Sequence, residues 1–211
     1  MTTAAARGRI VIDLFTTLNG VAQAPNGREE DPSGDFRFGG WQSPFDDAVI
    51  GQDVGDGIRR MDALLLGRRT YELFAAYWPR HVDNAIGAHF AEIPKYVASR
   101  VGLEASWDGS TVLTGPDVTA QIDALRDRHR EVHVIGSIDF VQTLLAAGLY
   151  DELKLWVHPV VLGEGKRVFP SGAAPTTLRL LAPAVSGPSG TLLLRYAPGG
   201  EVVAEDLDPE G

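Results

Sequence analysis

Short runs of apolar residues alternate with amphipathic segments along most of the chain. The runs are rich in Val, Ile and Leu, which is typical of buried strands, and they lie at residues 9–15, 63–66, 96–98, 111–113 and 132–135. Apolar positions at helical spacing between them predict helices at residues 43–60, 71–77, 118–125 and 139–147. This alternation predicts an α/β fold around a mostly parallel sheet.

The C-terminal part of the chain has a different pattern, because strand-like segments follow one another without a helix between them. These segments lie at residues 153–161, 178–181 and 192–196, and the last two are expected to close the sheet as an antiparallel pair. A single domain is therefore expected over residues 1–197. Residues 198–211, which carry several acids and no Lys or Arg, are expected to form a flexible acidic tail.

Composition narrows the possible functions. The 211 residues have 44% hydrophobic content, a net charge of -9 and no cysteine. The negative charge argues against nucleic-acid binding, and the absence of cysteine excludes disulfides and cysteine-based metal sites. We find no apolar segment long enough to span a membrane and no export signal, so a cytoplasmic protein is expected.

Candidate chemistry lies where strands end, because ligands of parallel sheets bind at the carboxyl ends of the strands. After the strand at 63–66 comes Gly67-Arg68-Arg69-Thr70, in which Thr70 is expected to cap a helix and the two guanidinium groups suit a phosphate. An ordinary basic turn is the alternative interpretation.

Two further strand ends carry weaker signals. Gly136-Ser137-Ile138-Asp139-Phe140 joins a strand to a helix start, where backbone amides suit a pyrophosphate, although a tight turn capped by Ser137 explains the pattern equally well. Ser99-Arg100 follows another strand and suits the extra phosphate of NADPH, or is a solvated loop. We interpret His158 as a strand residue, because spacing suggests no catalytic or metal partner for it, and no metal site is expected.

Taken in order, these segments resemble a known family. They are Thr16–Val21 (TTLNGV), LGRRTYE, VASR, VIGS, LYDEL and HPVVLGEGKRVFP. The chain is similar, over roughly residues 9–197, to the dihydrofolate-reductase-like proteins related to the C-terminal reductase domain of the bifunctional riboflavin-biosynthesis deaminase-reductase.

The resemblance implies an NADPH-dependent reductase with a dihydrofolate-reductase-like sheet, flanking helices and a homodimer formed through the C-terminal strands. It implies a hydride acceptor with a C=O or C=N bond, such as a pterin or a riboflavin precursor. By position, the residues implied to contact NADPH are Thr17, Val21, Gly67, Arg68, Arg69, Thr70, Ser99, Arg100, Gly136, Ser137, Ile138, Asp139 and Phe140. Those implied to contact the substrate are Asn19, Gln23 and Trp41, with Asp53 as a candidate proton source and residues 25–40 as a lid.

The chain departs from the family at two positions: Asn19 replaces the usual Asp, and Ile138 replaces a small residue. These departures leave two alternatives open. The fold could bind a nucleotide, a flavin or another metabolite without catalysis, or it could perform non-redox chemistry in the synthesis of a natural product.

Overall fold

The computed structural model describes residues 7–205, and within them nine strands form one continuous sheet. The strands are β1 (Arg9–Thr17), β2 (Ala63–Gly67), β3 (Lys95–Ala98), β4 (Ser110–Leu113), β5 (Glu131–Val134), β6 (Glu152–His158), β7 (Thr177–Leu180), β8 (Val185–Ser186) and β9 (Leu192–Gly200). Their order is β4-β3-β2-β5-β1-β6-β9-β7, and β8 pairs with β9. Strands β1 to β6 pair in parallel, whereas β9 runs antiparallel to β6, β7 and β8. The predicted α/β fold, with its parallel sheet and antiparallel C-terminal end, is confirmed.

Five α-helices flank this sheet in the described part of the chain. They are α1 (Ala48–Arg60), α2 (Arg68–Tyr77), α3 (Ala85–Glu92), α4 (Val118–Asp123) and α5 (Ile138–Ala146). Helix α3 was not predicted. The others start within a few residues of the expected positions, except α1, which begins at Ala48 rather than near residue 43.

Helix caps account for the differences at two helix starts. Asp47 accepts hydrogen bonds from the amides of Val49 and Ile50, so it sets the first turn of α1. Thr70 was predicted to cap α2, which is wrong: the helix already begins at Arg68, and Gly67 occupies the capping position.

The sheet separates two apolar cores. One lies under α4 and α5 and includes Ile12, Val134 and Leu153, all fully buried. The other lies under α1, α2 and α3 and includes Leu64, Leu66 and Val97. Burial of a side chain of this size contributes roughly 1.5–3 kcal/mol to stability, so both cores stabilise the central strands of the sheet.

The C-terminal end differs slightly from the prediction. Strand β9 continues to Gly200, three residues beyond the expected domain boundary at 197, and residues 206–211 of the expected tail lie outside the described residues. Strand β6 ends at His158, because Pro159 follows it. No helix within residues 7–205 is long and apolar enough to cross a membrane.

Candidate active site

Two junctions between a strand and a helix meet at the carboxyl edge of the sheet. One joins β2 to α2 at Gly67, and the other joins β5 to α5 at Gly136 and Ser137. The amide of Gly67 donates a hydrogen bond to the carbonyl oxygen of Gly136 at 3.0 Å. A Cβ atom on Gly67 would lie 2.2 Å from the Ser137 Oγ, so glycine is required for this approach.

Both helices present their first turn to the same edge. Among residues 7–205, no side chain caps the N-terminus of α2 or of α5. Backbone amides at the start of a helix carry a partial positive charge and favour an anion. The two junctions therefore form one region suited to a group with more than one negative charge.

A cavity of about 380 Å³ opens beside these junctions. Its wall contains the junction residues Thr70, Gly136 and Ser137, and the aromatic rings of Phe15, Phe74 and Trp156. A cavity of this size is within the range of about 300–1,000 Å³ found for small-molecule sites. Six of the residues predicted to bind ligands lie in its wall: Gln23, Arg69, Thr70, Gly136, Ser137 and Ile138.

Three charged side chains from neighbouring strands meet at the floor of the cavity: Asp13 on β1, His133 on β5 and Lys154 on β6. The Asp13 Oδ2 lies 2.5 Å from the His133 Nδ1, and the Asp13 Oδ1 lies 3.1 Å from the Lys154 Nζ. The opposite ring nitrogen of His133 lies 2.8 Å from a carboxylate oxygen of Glu131. All of these side chains are nearly buried, and each charge is paired with its opposite.

These ion pairs determine the protonation states of His133 and Asp13. Burial opposes the charged form of His133, but Asp13 and then Glu131 raise the pKa of the ring to about 9. Burial likewise opposes ionisation of Asp13, but His133 and Lys154 hold the pKa of its carboxyl below the usual range. His133 is therefore a cation at neutral pH, and Asp13 is an anion between two cations.

The loop between β1 and α1 covers one side of the cavity. The Lys166 Nζ lies 2.6 Å from a carboxylate oxygen of Asp31, and the Gln23 side chain donates to the carbonyl oxygens of Asp31 and Ser33. The indole of Trp41 donates to the Gln23 carbonyl. Gln23 and Trp41 therefore have contacts that fix the loop, and Trp41 does not line the cavity.

The turn after β1 has a similar structural role. The Asn19 Nδ2 donates to the carbonyl oxygen of Leu162 at 2.6 Å, and the Asn19 Oδ1 accepts from Thr17 and from the Leu162 amide. An aspartate could not donate the first of these bonds. Val21, in the same turn, forms an antiparallel bridge with Arg167, which lies between β6 and β7. Thr17, Asn19 and Val21 thus fix the end of β1, outside the cavity wall.

The remaining predicted residues lie around the junctions. Arg68 forms an ion pair with Glu72, whereas Arg69 lies in the wall with its guanidinium 3.4 Å from the Ser33 Oγ. Ser99 is buried and Arg100 is exposed at the end of β3, the second strand from β5. Asp139 and Phe140 lie in the first turn of α5.

Ile138 and Asp53 need separate description. Ile138 lies in the cavity wall but also packs within the apolar core, so only part of its bulk faces the cavity. The carboxylate of Asp53 lies 3.4 Å from the Lys154 Nζ and outside the wall. Lys154, rather than Asp53, is the group in contact with the cavity.

The sequence reasoning missed the floor of the cavity. Asp13, His133 and Lys154 each interrupt an apolar strand, in RIVIDLF, VHVI and LKLW. A charged residue inside a buried strand must have a partner, and that rule could have identified all three. His158 is a strand residue, as interpreted. Its ring is buried against Phe15, Trp41 and Phe45, and burial lowers its pKa.

Comparison with known proteins agrees with the architecture. Residues 9–189 match the family model described as the RibD C-terminal domain. The chain is 27% identical over 176 residues to the uncharacterised protein YyaP of Bacillus subtilis (strain 168), with 80% of this chain and 84% of YyaP covered.

Two solved structures share the fold. A putative riboflavin biosynthesis protein from Shewanella sp. PV-4 is similar with a TM-score of 0.63 and 17% identity, over 90% of this chain and 98% of that one. Dihydrofolate reductase from Enterococcus faecalis, complexed with NADP(H) and RAB-propyl, is similar with a TM-score of 0.55 and 16% identity, over 92% and 98%. The fold is therefore dihydrofolate-reductase-like.

Proposed function

The chain belongs to the RibD C-terminal domain family, and from this premise we propose that it is an NADPH-dependent reductase acting on a C=O or C=N bond of a small organic substrate. The family suggests a reductase. We propose, in addition, that the cofactor is NADPH and that the substrate carries a C=O or C=N bond.

One observation carries the proposal: two uncapped helix N-termini meet beside the cavity, at the hydrogen bond between Gly67 and Gly136. Amides of both first turns suit the oxygens of a pyrophosphate. Arg69 at the rim adds a planar donor for phosphate. Asp31 lies 4.0 Å from the Arg69 guanidinium but is also paired with Lys166 at 2.6 Å, and Glu72 is paired with Arg68, so both acids share their charge with other cations. These residues fit a dinucleotide.

With the pyrophosphate at these two helix N-termini, the other predicted residues would lie beside other parts of NADPH. Thr70, Gly136, Ser137, Ile138, Asp139 and Phe140 would surround the pyrophosphate. Ser99 and Arg100 would lie by the adenosine and its extra phosphate. The turn that contains Thr17, Asn19 and Val21 would position the β1 loop over the nicotinamide. Bound NADPH would supply the hydride, and the protein would supply orientation and a proton.

The substrate would occupy the part of the cavity between the charged floor and the aromatic wall. Phe15, Phe74 and Trp156 suit a planar molecule, and Asp13 and Lys154 suit polar groups on its edge. A pterin or a riboflavin precursor has these properties, as do other aromatic carbonyl and imine compounds.

A direct test uses purified protein with NADPH and three probes: an aromatic aldehyde, a cyclic imine and dihydropterin. We expect consumption of NADPH with at least one probe, and slower consumption of NADH. If NADPH protects the protein against heat but no probe is reduced, the result would favour the non-catalytic alternative. If NADPH does not bind, the reductase proposal is wrong.

We also propose a homodimer formed through the C-terminal strands. Apolar side chains on β7, β8 and β9 remain exposed, including Leu180 at 46%, Val185 at 46% and Leu192 at 37%. An exposed apolar surface of this kind is typical of an interface between proteins. Light scattering after gel filtration should give the mass of a dimer, and the double variant Leu180→Glu, Val185→Glu should give that of a monomer. A monomeric wild-type protein would contradict this proposal.

A further inference from the structure

Four buried charged groups form a continuous chain across three neighbouring strands. Glu131 and His133 lie on β5, Asp13 on β1 and Lys154 on β6. Successive atoms in this chain are separated by 2.8 Å, 2.5 Å and 3.1 Å. The last contact is an ion pair rather than a well-aligned hydrogen bond. The two carboxylate oxygens of Asp13 thus connect the ring of His133 to the ammonium group of Lys154.

The two ends of this series of charged side chains, Lys154 and Glu131, have different surroundings. Lys154 contacts the cavity and has 1% of its side chain exposed. Glu131 has 11% of its side chain exposed and lies beside Arg9 and Arg60, whose side chains are 40% and 43% exposed. The chain therefore connects the floor of the cavity to a region in contact with solvent.

The burial of four charged side chains is costly and calls for a functional explanation. Replacement of a buried ion pair by apolar residues of similar size is often neutral or stabilising, so the fold alone does not require these groups. Lys95 offers a comparison within the same sheet: it is fully buried in β3, and its ammonium is bonded to the carbonyl oxygens of Ala91 and Asp108, outside the cavity wall. The series of charged groups from Glu131 to Lys154 differs from Lys95 because it contacts the cavity.

We infer that this chain of groups supplies the proton that completes the reduction: Lys154 donates it to the substrate, and His133 replaces it through Asp13. The inference rests on the proposed reductase function. As hydride adds to the carbon of the C=O or C=N bond, the electron pair of that bond moves to the oxygen or nitrogen, which takes a proton from the Lys154 Nζ. The His133 Nδ1 then protonates the Asp13 Oδ2, and rotation of the resulting carboxyl group turns this proton toward Lys154, whose neutral amine takes it. His133 is left neutral with its remaining proton on Nε2, and a rotation of the ring that exchanges its two nitrogens turns the bare nitrogen toward Glu131, where it regains a proton from solvent. One proton thus enters for each proton given to the substrate.

The groups facing this chain come from every element packed against it. His133 faces Asp13 and Glu131, Lys154 faces Asp13 and Asp53 of α1, and Glu131 also faces Arg9 of β1 and Arg60 of α1. Because the pKa of His133 is raised to about 9, its ring carries the proton needed for the relay at neutral pH.

The test compares Lys154→Met and His133→Gln with the matched control Lys95→Met, which also removes a buried ammonium lying over a tryptophan ring. The probe is the aldehyde or imine that wild-type protein reduces. We expect both floor variants to lower kcat by roughly 10²-fold with NADPH affinity unchanged, which is the scale of general acid catalysis. Lys95→Met should retain the wild-type kcat. In the wild type, kcat should fall above pH about 9, and His133→Gln should lack this decline.

A wild-type kcat in Lys154→Met would overturn the inference. A loss of kcat and NADPH affinity in the same proportion would also overturn it, because that result indicates a damaged site rather than a missing proton.

A second measurement decides the inference even if no probe is reduced. In protein labelled with ¹⁵N-histidine and free of cofactor, we expect both ring nitrogens of His133 to be protonated at neutral pH. Exchange of its ring protons with water should be faster in the wild type than in Glu131→Gln. A neutral ring, or exchange that is equal in the two proteins, would overturn the relay. A failure to reduce any probe, together with the expected spectra, would count against the reductase proposal alone.

Discussion

The amide nitrogen of Gly67 lies 3.0 Å from the carbonyl oxygen of Gly136, so the turn that ends β2 is bonded directly to the turn that ends β5. This bond places the first turns of α2 and α5 side by side at the edge of the sheet. It also explains why the residue at 67 has no side chain, since the Ser137 Oγ occupies that space.

Replacement of Gly67 by alanine should therefore separate the two turns. The added methyl group would lie 2.2 Å from the Ser137 Oγ and 2.8 Å from the Phe140 Cβ. We expect a loss of about 1–3 kcal/mol in the free energy of unfolding, as for other overpacked sites, and weaker NADPH binding. Urea denaturation and calorimetric titration measure the two effects.

Gly51→Ala is the matched control. Gly51 lies within α1, and a Cβ atom there would have no other atom within 4 Å. We expect this variant to gain up to about 1 kcal/mol, because alanine is the better helix former. If both alanine variants had the same stability, the close approach of the two turns would be refuted.

Arg69 should contribute to NADPH binding more than its neighbour Arg68. Arg69 lies in the cavity wall, whereas the guanidinium of Arg68 is 2.7 Å from Glu72. We expect Arg69→Gln to raise the dissociation constant of NADPH roughly tenfold, on the scale of a hydrogen bond to a charged group. Arg68→Gln should change it less. Titration at two salt concentrations measures both, and the reverse order would assign the phosphate contact to Arg68.

Arg100 should determine the preference between the two nicotinamide cofactors. Its side chain is exposed at the end of β3, beside the buried Ser99. We expect Arg100→Gln to weaken NADPH binding roughly tenfold and to leave NADH binding unchanged, since only NADPH carries the extra phosphate. Equal losses for the two cofactors would show that Arg100 does not contact that phosphate.

The stability of the protein should depend on the charge of His133. The pKa of this ring is raised to about 9 in the folded protein, above its usual 6.5. The contribution of His133 to the free energy of unfolding is therefore complete below pH about 6.5 and is lost as the pH rises to about 9. Its total is of the order of 3 kcal/mol.

Urea denaturation between neutral and alkaline pH measures this loss. His133→Gln should be less stable at neutral pH and should show a flatter dependence through this range. The same dependence in wild type and variant would show that another group titrates.

Much of the fold could be predicted, because its strands are short apolar runs separated by glycine and proline. The continuity of VHVI, followed by a glycine, was enough to locate β5 and the start of α5. Helix α3 could not be found in this way, because most of its eight residues are apolar or glycine and no polar face marks a helical period. The start of α1 was placed too early, since the short turn at Ser43–Phe45 has the same proline signal as a helix start.

The site was less accessible to sequence reasoning. Motifs at strand ends pointed to Thr70, Gly136 and Ser137, which lie in the cavity wall. They could not show that Asn19 would bond to Leu162, because that contact joins residues more than a hundred positions apart. The charged floor depends on the same kind of contact, since Asp13, His133 and Lys154 meet only through the order of β5, β1 and β6.

Thermal unfolding of the purified protein with and without NADPH tests the central claim most directly. A cofactor held by the amides of α2 and α5 should stabilise the protein by about 2.7 kcal/mol at a concentration 100 times its dissociation constant, and NADH should stabilise it less at the same concentration. An unfolding temperature that does not change at any NADPH concentration up to saturation of its solubility would contradict the claim that the two junctions bind a dinucleotide.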